Sequence, residues 1–363
     1  MPDTPPRERA GGGNPLAADL DMVLEQTRDF WDEVRGRRLF ITGGTGFFGS
    51  WLLETFSWAC DRLALGAEAV VLTRRPEAFA QKASHLAGHP AVKLHRGDVR
   101  DFTFPEGPFS HVIHAATEAS TNQSDRASLE VLDTVVQGTR RVLDFAVRCR
   151  VRKLLFTSSG AVYGRQPPEM THVAEDYAGA PDTMDPRSAY GEGKRVGELL
   201  CAIYAREQGI EVKIARCFAF VGPYMPMHGC FAIGNFIRDA LSGGPIEVKG
   251  DGTPCRSYLY AADLAAWLWT ILFRGKSCRP YNVGGEKSLC IREAAMAVAA
   301  GVNPPCRVQV QSAAAVGKSA HCYVPSVGRA NDELGVRPTV DLPSGVARTL
   351  EWLRVRNGRS ADV

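Results

Sequence analysis

The stretch "LFITGGTGFFGSWLL", Leu39 to Leu53, constrains this chain more than any other. An apolar run turns through glycines and enters an amphipathic segment, the order of a strand, a tight turn and a helix. Gly44, Gly46 and Gly49 fit G-x-G-x-x-G, and Gly43, Gly46 and Gly49 fit the wider G-x-x-G-x-x-G. Glycines at this spacing permit the turn, let the backbone approach a pyrophosphate and aim a helix N-terminus at its charge. A dinucleotide is the expected ligand.

The rest of the chain extends that pattern. "AVVLT", "KLHRG", "HVIHAA", "KLLFTSS" and "VKIARCF" are short apolar runs, and Ser50 to Ala64, Leu129 to Arg148 and Ala189 to Gln208 read as helices between them. Strands alternating with helices predict an α/β fold, a doubly wound parallel sheet covered on both faces. Ligands of such sheets bind at the carboxyl ends of the strands. Residues 1–16, rich in Pro, Gly and Arg, are expected to be a disordered lead-in, and 17–36 an amphipathic helix. Residues 37–216 form the expected dinucleotide-binding domain. Residues 217–363 form a smaller α/β substrate region interleaved with it, loop-rich from Gly222 to Ser257.

"AVVLTRRP" tests which dinucleotide binds. An acid at the end of the second strand would hold an adenosine 2′-OH, but Arg74 and Arg75 stand there and suit a 2′-phosphate. NAD(P) is the expected cofactor, with a lean to NADP. Asp98, after the third strand, is placed to accept a hydrogen bond from the adenine amino group. The 43 basic and 40 acidic residues leave a formal charge of +3, which points away from nucleic acid or an anionic membrane as partner. The apolar run Leu264 to Phe273 is half a membrane span, and the start lacks the pattern of a signal peptide, so a cytoplasmic location is expected. Ten scattered cysteines, without C-x-x-C or zinc-finger spacing, predict no disulfide framework and no metal site; most are expected in the core.

"SAYGEGK" places Tyr190 and Lys194 four residues apart, on one face of a helix. A phenol with a pKa near 10 is a poor base at neutral pH, and an adjacent ammonium favours its ionised form. Such a pair can take a proton from an alcohol while a nicotinamide takes the hydride. Ser159, Ser158 or Thr157, at the end of the strand "KLLFTSS", is placed to bond the same oxygen.

These motifs, with "TGGTGFFG", "HAAT", "TSSGAVYG", "IARCFAFVGPYMP", "GDGTPCRSYLYAADLA", "YNVGGE" and "RANDELGVRP", resemble the extended short-chain dehydrogenases, specifically the NAD-dependent epimerase/dehydratase family acting on nucleotide sugars. The resemblance covers about Arg38 to Arg354 and implies a Rossmann domain with a smaller carboxyl-terminal domain. It implies Tyr190 as base, Lys194 as the residue that holds the nicotinamide ribose and lowers the Tyr pKa, and Ser159 or Ser158 as the group orienting the sugar hydroxyl. Gly43, Thr45, Gly46, Phe47, Phe48, Gly49, Arg74, Asp98, Val99, Ala115 and Ala116 are assigned to the cofactor. Thr117, Asn235 and Arg256 are assigned to the substrate, the last two to its diphosphate. A homodimer is expected.

The chain departs from the family in places. Ala219 replaces the Asn of R-x-F-N, and Val135 replaces the Asn of N-V-x-G-T. Family 4,6-dehydratases carry Asp-Glu, and sugar-acid decarboxylases a Glu, before V-Y-G; this chain has Gly160-Ala161. Redox chemistry at C4 of a nucleotide-diphosphosugar is therefore expected, of the 4-epimerase type or as an NADPH-dependent 4-ketoreductase. 4,6-Elimination is not expected, with Glu118 the carboxylate to watch as a substitute. A non-catalytic dinucleotide sensor would dispense with the Tyr and Lys, and both are present.

Overall fold

All six apolar runs form strands; in five of them β-branched and aromatic residues suit a sheet buried on both faces, and the third, at 92–96, is a partly exposed edge. A computed structural model describes residues 14–117, 125–312 and 321–361. The strands are β1 (Arg38–Thr42), β2 (Glu68–Thr73), β3 (Val92–Arg96), β4 (His111–His114), β5 (Lys153–Ser159) and β6 (Glu211–Cys217). A seventh, β7 (Pro280–Val283), comes from the carboxyl-terminal region and lies beside β6. The order is β7-β6-β5-β4-β1-β2-β3, every neighbour parallel. The chain reverses direction across the sheet between β1 and β4, which opens a crevice beyond their carboxyl ends.

Helices cover both faces. α1 (Ala17–Thr27), α2 (Phe47–Leu63) and α6 (Ala261–Arg274) lie on one side, α3 (Asp125–Arg148) and α4 (Ala189–Gln208) on the other. α5 (Ala232–Leu241) and α7 (Ile291–Ala300) belong to the carboxyl-terminal region. The expected single helix over 17–36 ends at Thr27 and continues as a 3-10 turn, Arg28–Val34. Thr27 explains the change. Its hydroxyl bonds the Val23 carbonyl and accepts from the Trp31 indole, and Trp31 packs 4.8 Å from Trp269.

The apolar run Leu264 to Phe273 is the centre of α6, buried from Ala261 to Phe273 against β5 and β6. Among the described residues no helix is long and apolar enough to cross a membrane. The segment Gly222 to Ser257, read as loop, contains α5 and the short strands Ile246–Val248 and Cys255–Arg256. Cys255–Arg256 is the middle of a three-stranded sheet, antiparallel to Leu289–Cys290 and parallel to Cys322–Tyr323. Two-residue strands give no periodicity to read, which is why the sequence hides them. The cysteine expectation also needs correction: only Cys60, Cys201 and Cys217 are buried, and Cys230 and Cys278 are exposed.

Candidate active site

The crevice holds a continuous cavity of about 1120 Å³, running from Arg74 and Arg75 past Gly46, Ser159, Tyr190 and Lys194 to Arg256 and Tyr323. That exceeds the roughly 300–1,000 Å³ of an ordinary small-molecule pocket and suits two ligands end to end.

At the dinucleotide end the glycine loop is sterically committed. A Cβ on Gly43, whose φ is +70°, would lie 2.4 Å from the Ala115 backbone, and one on Gly49 would lie 2.2 Å from the Cα of Gly44. Both contacts are between backbones, so only glycine brings the loop against β4 and α2 against the loop. Gly46, the residue before α2, faces the cavity, so the helix N-terminus is presented to it. Thr45, Phe47, Phe48, Val99, Ala115 and Ala116 also line this end. Ala116 is fixed from below: its N–H donates to Thr42 Oγ1 at 3.2 Å, and Thr42 Oγ1 lies 2.7 Å from His114 Nδ1. Burial pushes the His114 imidazole down to about 3, so it serves as a neutral bridge. These residues fit a dinucleotide.

Arg74 and Arg75 line the cavity, and so does Lys82, whose ammonium donates to the Thr45 carbonyl at 3.2 Å. Lys82 carries no motif and was invisible in the sequence. Asp98 lines the cavity too, but Arg100 already donates to both of its oxygens, which holds the carboxyl below its usual range.

The centre of the cavity is a cluster of hydroxyls. β5 ends at Ser159, whose side chain caps the 3-10 turn Gly160–Tyr163 by accepting from the Ala161 N–H at 3.1 Å. Ser159 and Thr117 hydrogen-bond the Tyr190 phenol, yet burial prevails and pushes it up to about 12. Burial pulls the Lys194 ammonium down to about 8; it donates to the Thr157 carbonyl at 2.8 Å and lies 5.8 Å from the Tyr190 ring centre. The expected lowering of the Tyr pKa by Lys194 is thus not made by the protein's own groups. Burial disfavours charge on both members of the pair.

The two serines separate. Ser158 lines the cavity but donates to Glu198 at 2.5 Å, where Arg216 also donates through Nε and Nη2. Glu198 lies one turn beyond Lys194, an i, i+4 signal that could have found it. Ser159 is the serine that meets the Tyr190 phenol.

At the substrate end stand Phe218, Tyr258, Arg256, His321 and Tyr323. The Tyr323 hydroxyl lies 3.4 Å from Ser159 Oγ, and its ring packs 4.6 Å from Phe218. A Cβ on Gly160 would lie 2.6 Å from Phe218 and 2.8 Å from that hydroxyl, so a side chain at this position would require these rings to shift. Arg256 sits over the Tyr323 ring at 5.6 Å and donates to the Cys255 and His321 carbonyls. Asn235 is not among the lining residues: its amide donates to the Gly229 carbonyl and accepts from Arg238. Glu118 lies outside the described residues.

The model of the NAD dependent epimerase/dehydratase family matches residues 39–284. The chain belongs to that family. UDP-glucuronic acid decarboxylase 1 of Xenopus tropicalis is 31% identical over 326 residues, 90% of this chain and 74% of that protein. Among solved structures, a dTDP-glucose 4,6-dehydratase of Streptomyces venezuelae with NAD bound has a TM-score of 0.73 at 26% identity, covering 88% of this chain and 98% of that one. The UDP-glucose 4-epimerase of Thermus thermophilus in complex with NAD has a TM-score of 0.71 at 27% identity, covering 87% and 99%. The chain is an enzyme of the extended short-chain dehydrogenase type, and these three relatives are a decarboxylase, a 4,6-dehydratase and a 4-epimerase.

Proposed function

We propose that this enzyme oxidises and reduces C4 of a nucleotide-diphosphohexose, in the manner of a 4-epimerase. Decarboxylation, dehydration and epimerisation at these positions can all begin with a 4-keto sugar, so the relatives support the C4 step in common. The hydroxyl cluster supports stopping there. Elimination or loss of C6 calls for acid–base groups beside C5 and C6, and Gly160 and Ala161 supply none. With Phe218 and the Tyr323 hydroxyl closing on Gly160, that place is filled by groups from elsewhere in the chain.

Tyr190 takes the C4 hydroxyl proton on its phenolic oxygen, with Ser159 and Thr117 bonding the same atom. A bound oxidised dinucleotide would supply the hydride acceptor. Lys194, anchored on Thr157, is the cation assigned to the nicotinamide ribose. Arg256 is assigned to the substrate diphosphate as a charge-assisted donor. If the ketone turns over, hydride returns to the other face of C4 and Tyr190 returns the proton to the C4 oxygen.

A second reading, an NADPH-dependent 4-ketoreductase, is favoured by Arg74, Arg75 and Lys82 at the adenosine end, three cations suited to a 2′-phosphate. UDP-glucose deuterated at C4 separates the two. Label retained at C4 of the inverted sugar supports the epimerase cycle; label released into free NADH or NADPH supports the reductase. No C4 exchange with any of UDP-, dTDP-, CDP- or GDP-hexoses would overturn both. For assembly we propose a homodimer along α3 and α4, which pack side by side and leave Leu129 and Leu199 exposed.

A further inference from the structure

The three-stranded sheet at the substrate end carries a row of cysteines. Cys290 and Cys322 are both register partners of Cys255, which stands between them. Register partners project to the same face of a sheet, and the residues that follow project to the other. The structure obeys this rule: Arg256 and Tyr323 line the cavity, and none of the three cysteines does. All three are half-buried and free. Neighbouring strands lie about 4.7–4.9 Å apart, within the roughly 4.4–6.8 Å between Cα atoms that a disulfide spans.

We propose that Cys255 and Cys322 form a thiol–disulfide couple that peroxide oxidises, tying together the two strands that bear Arg256 and Tyr323. Cys322 is the partner because it stands in register with Cys255 on the neighbouring strand Cys322–Tyr323. The Cys290 sulfur is turned instead to the start of α7, where it accepts from the Glu293 N–H at 3.4 Å. Cys255 lies between two strands and its thiol donates to the Thr253 carbonyl at 3.5 Å, so Cys255 is assigned as the resolving thiol and Cys322 as the attacking one. The Cys322 thiolate attacks one peroxide oxygen; an S–O bond forms, the O–O bond breaks and hydroxide leaves. The Cys255 sulfur, losing its proton, then attacks the Cys322 sulfur and expels the second oxygen as water. Two thiols lose two protons and two electrons, and one peroxide becomes two waters.

The bond would reach the cavity through a single peptide on each strand. Arg256 and Tyr323 form the wall assigned to the nucleotide sugar, and this consequence rests on that assignment. The reduced strands are held by short contacts such as the Cys255 N–H to the His321 carbonyl, 3.0 Å. A covalent tie would fix what these contacts only favour.

The test is peptide mapping by mass spectrometry of the full-length protein, treated with hydrogen peroxide and then blocked with an alkylating agent, with and without dithiothreitol. The expected result is a cross-linked peptide pair containing Cys255 and Cys322, two hydrogens lighter than the sum, lost on reduction and absent in Cys322→Ser. A pair joining Cys255 to Cys290, or sulfinic acids without any cross-link, would overturn the assignment. UDP and NAD titrations of both redox states form the second arm. UDP affinity is expected to differ between them and NAD affinity to stay constant; identical UDP affinities would overturn the link to the cavity. Failure of UDP to bind in either state would count against the nucleotide-sugar reading and leave the peptide result standing.

Discussion

The two ends of the cavity are built in opposite ways. The dinucleotide end comes from consecutive strand-to-helix turns of one regular sheet, and its shape is set by backbone packed on backbone, as at Gly43 and Gly49. The substrate end is assembled from Phe218, Arg256, Tyr258, Ile291, His321 and Tyr323, side chains far apart in sequence and carried by turns, two-residue strands and the first residue of α7. A cofactor common to a family can be held by a fixed local motif. A substrate that varies between relatives is met by pieces that change independently.

The two ends meet at Tyr190, so removing its oxygen should have the largest effect. Tyr190→Phe is expected to lower turnover by about 10²–10⁴-fold, the usual worth of a positioned acid–base group. NAD affinity, read by calorimetry, should hardly change. Near-normal turnover would remove Tyr190 from the chemistry.

Gly49→Ala probes the dinucleotide end alone. Its Cβ would meet the Gly44 Cα at 2.2 Å and the Gly43 carbonyl oxygen at 2.3 Å, so α2 must shift. Overpacking of this kind costs about 1–3 kcal/mol, and NAD affinity should fall with it. Tyr323→Phe should leave NAD affinity intact while changing KM for the sugar. Parallel losses of cofactor and substrate binding in both variants would erase the distinction between the ends.

The serines give a finer contrast. Ser159→Ala removes a hydrogen bond that lowers the Tyr190 pKa, so that pKa should rise and the acid limb of the kcat/KM profile should move to higher pH. Ser158→Ala should leave the limb in place and instead reduce stability by about 1 kcal/mol, since Glu198 loses one donor but keeps Arg216. An exchange of these outcomes, seen in pH–rate profiles and thermal melts, would reverse their assignment.

What could be read from the sequence follows the same division. The strands, α3, α4, the glycine loop and the Tyr190–Lys194 pair were legible because each is a local pattern with its own period or spacing. α6 was not read as a helix because, buried on all sides, it has no polar face to show a period. Tyr323 was missed since no spacing links it to Ser159, 164 residues away. Lys82 reaches the cavity through a tertiary contact with Thr45. Strand alternation separates Ser158 from Ser159 and puts Ser158 with Leu154 and Phe156 on the side that α4 covers, so the meeting of Ser159 with Tyr190 at the strand end could not be read from alternation.

The smallest effect is expected at the adenosine rim. Arg74→Ala should weaken NADP binding by about tenfold, one charge-assisted contact at a surface site, and change NAD binding little. Equal losses in fluorescence titrations would show that Arg74 does not read the 2′-phosphate.

The central claim is that chemistry stays at C4 because the place beside Ser159 is occupied by Phe218 and Tyr323 instead of an acid. NMR of products formed in heavy water from UDP-glucose, dTDP-glucose and UDP-glucuronic acid tests it directly. The account predicts inversion or oxidation at C4, no deuterium at C5 and an unchanged C6. Deuterium at C5 together with a new C6 methyl, or a pentose formed by loss of C6, would contradict it.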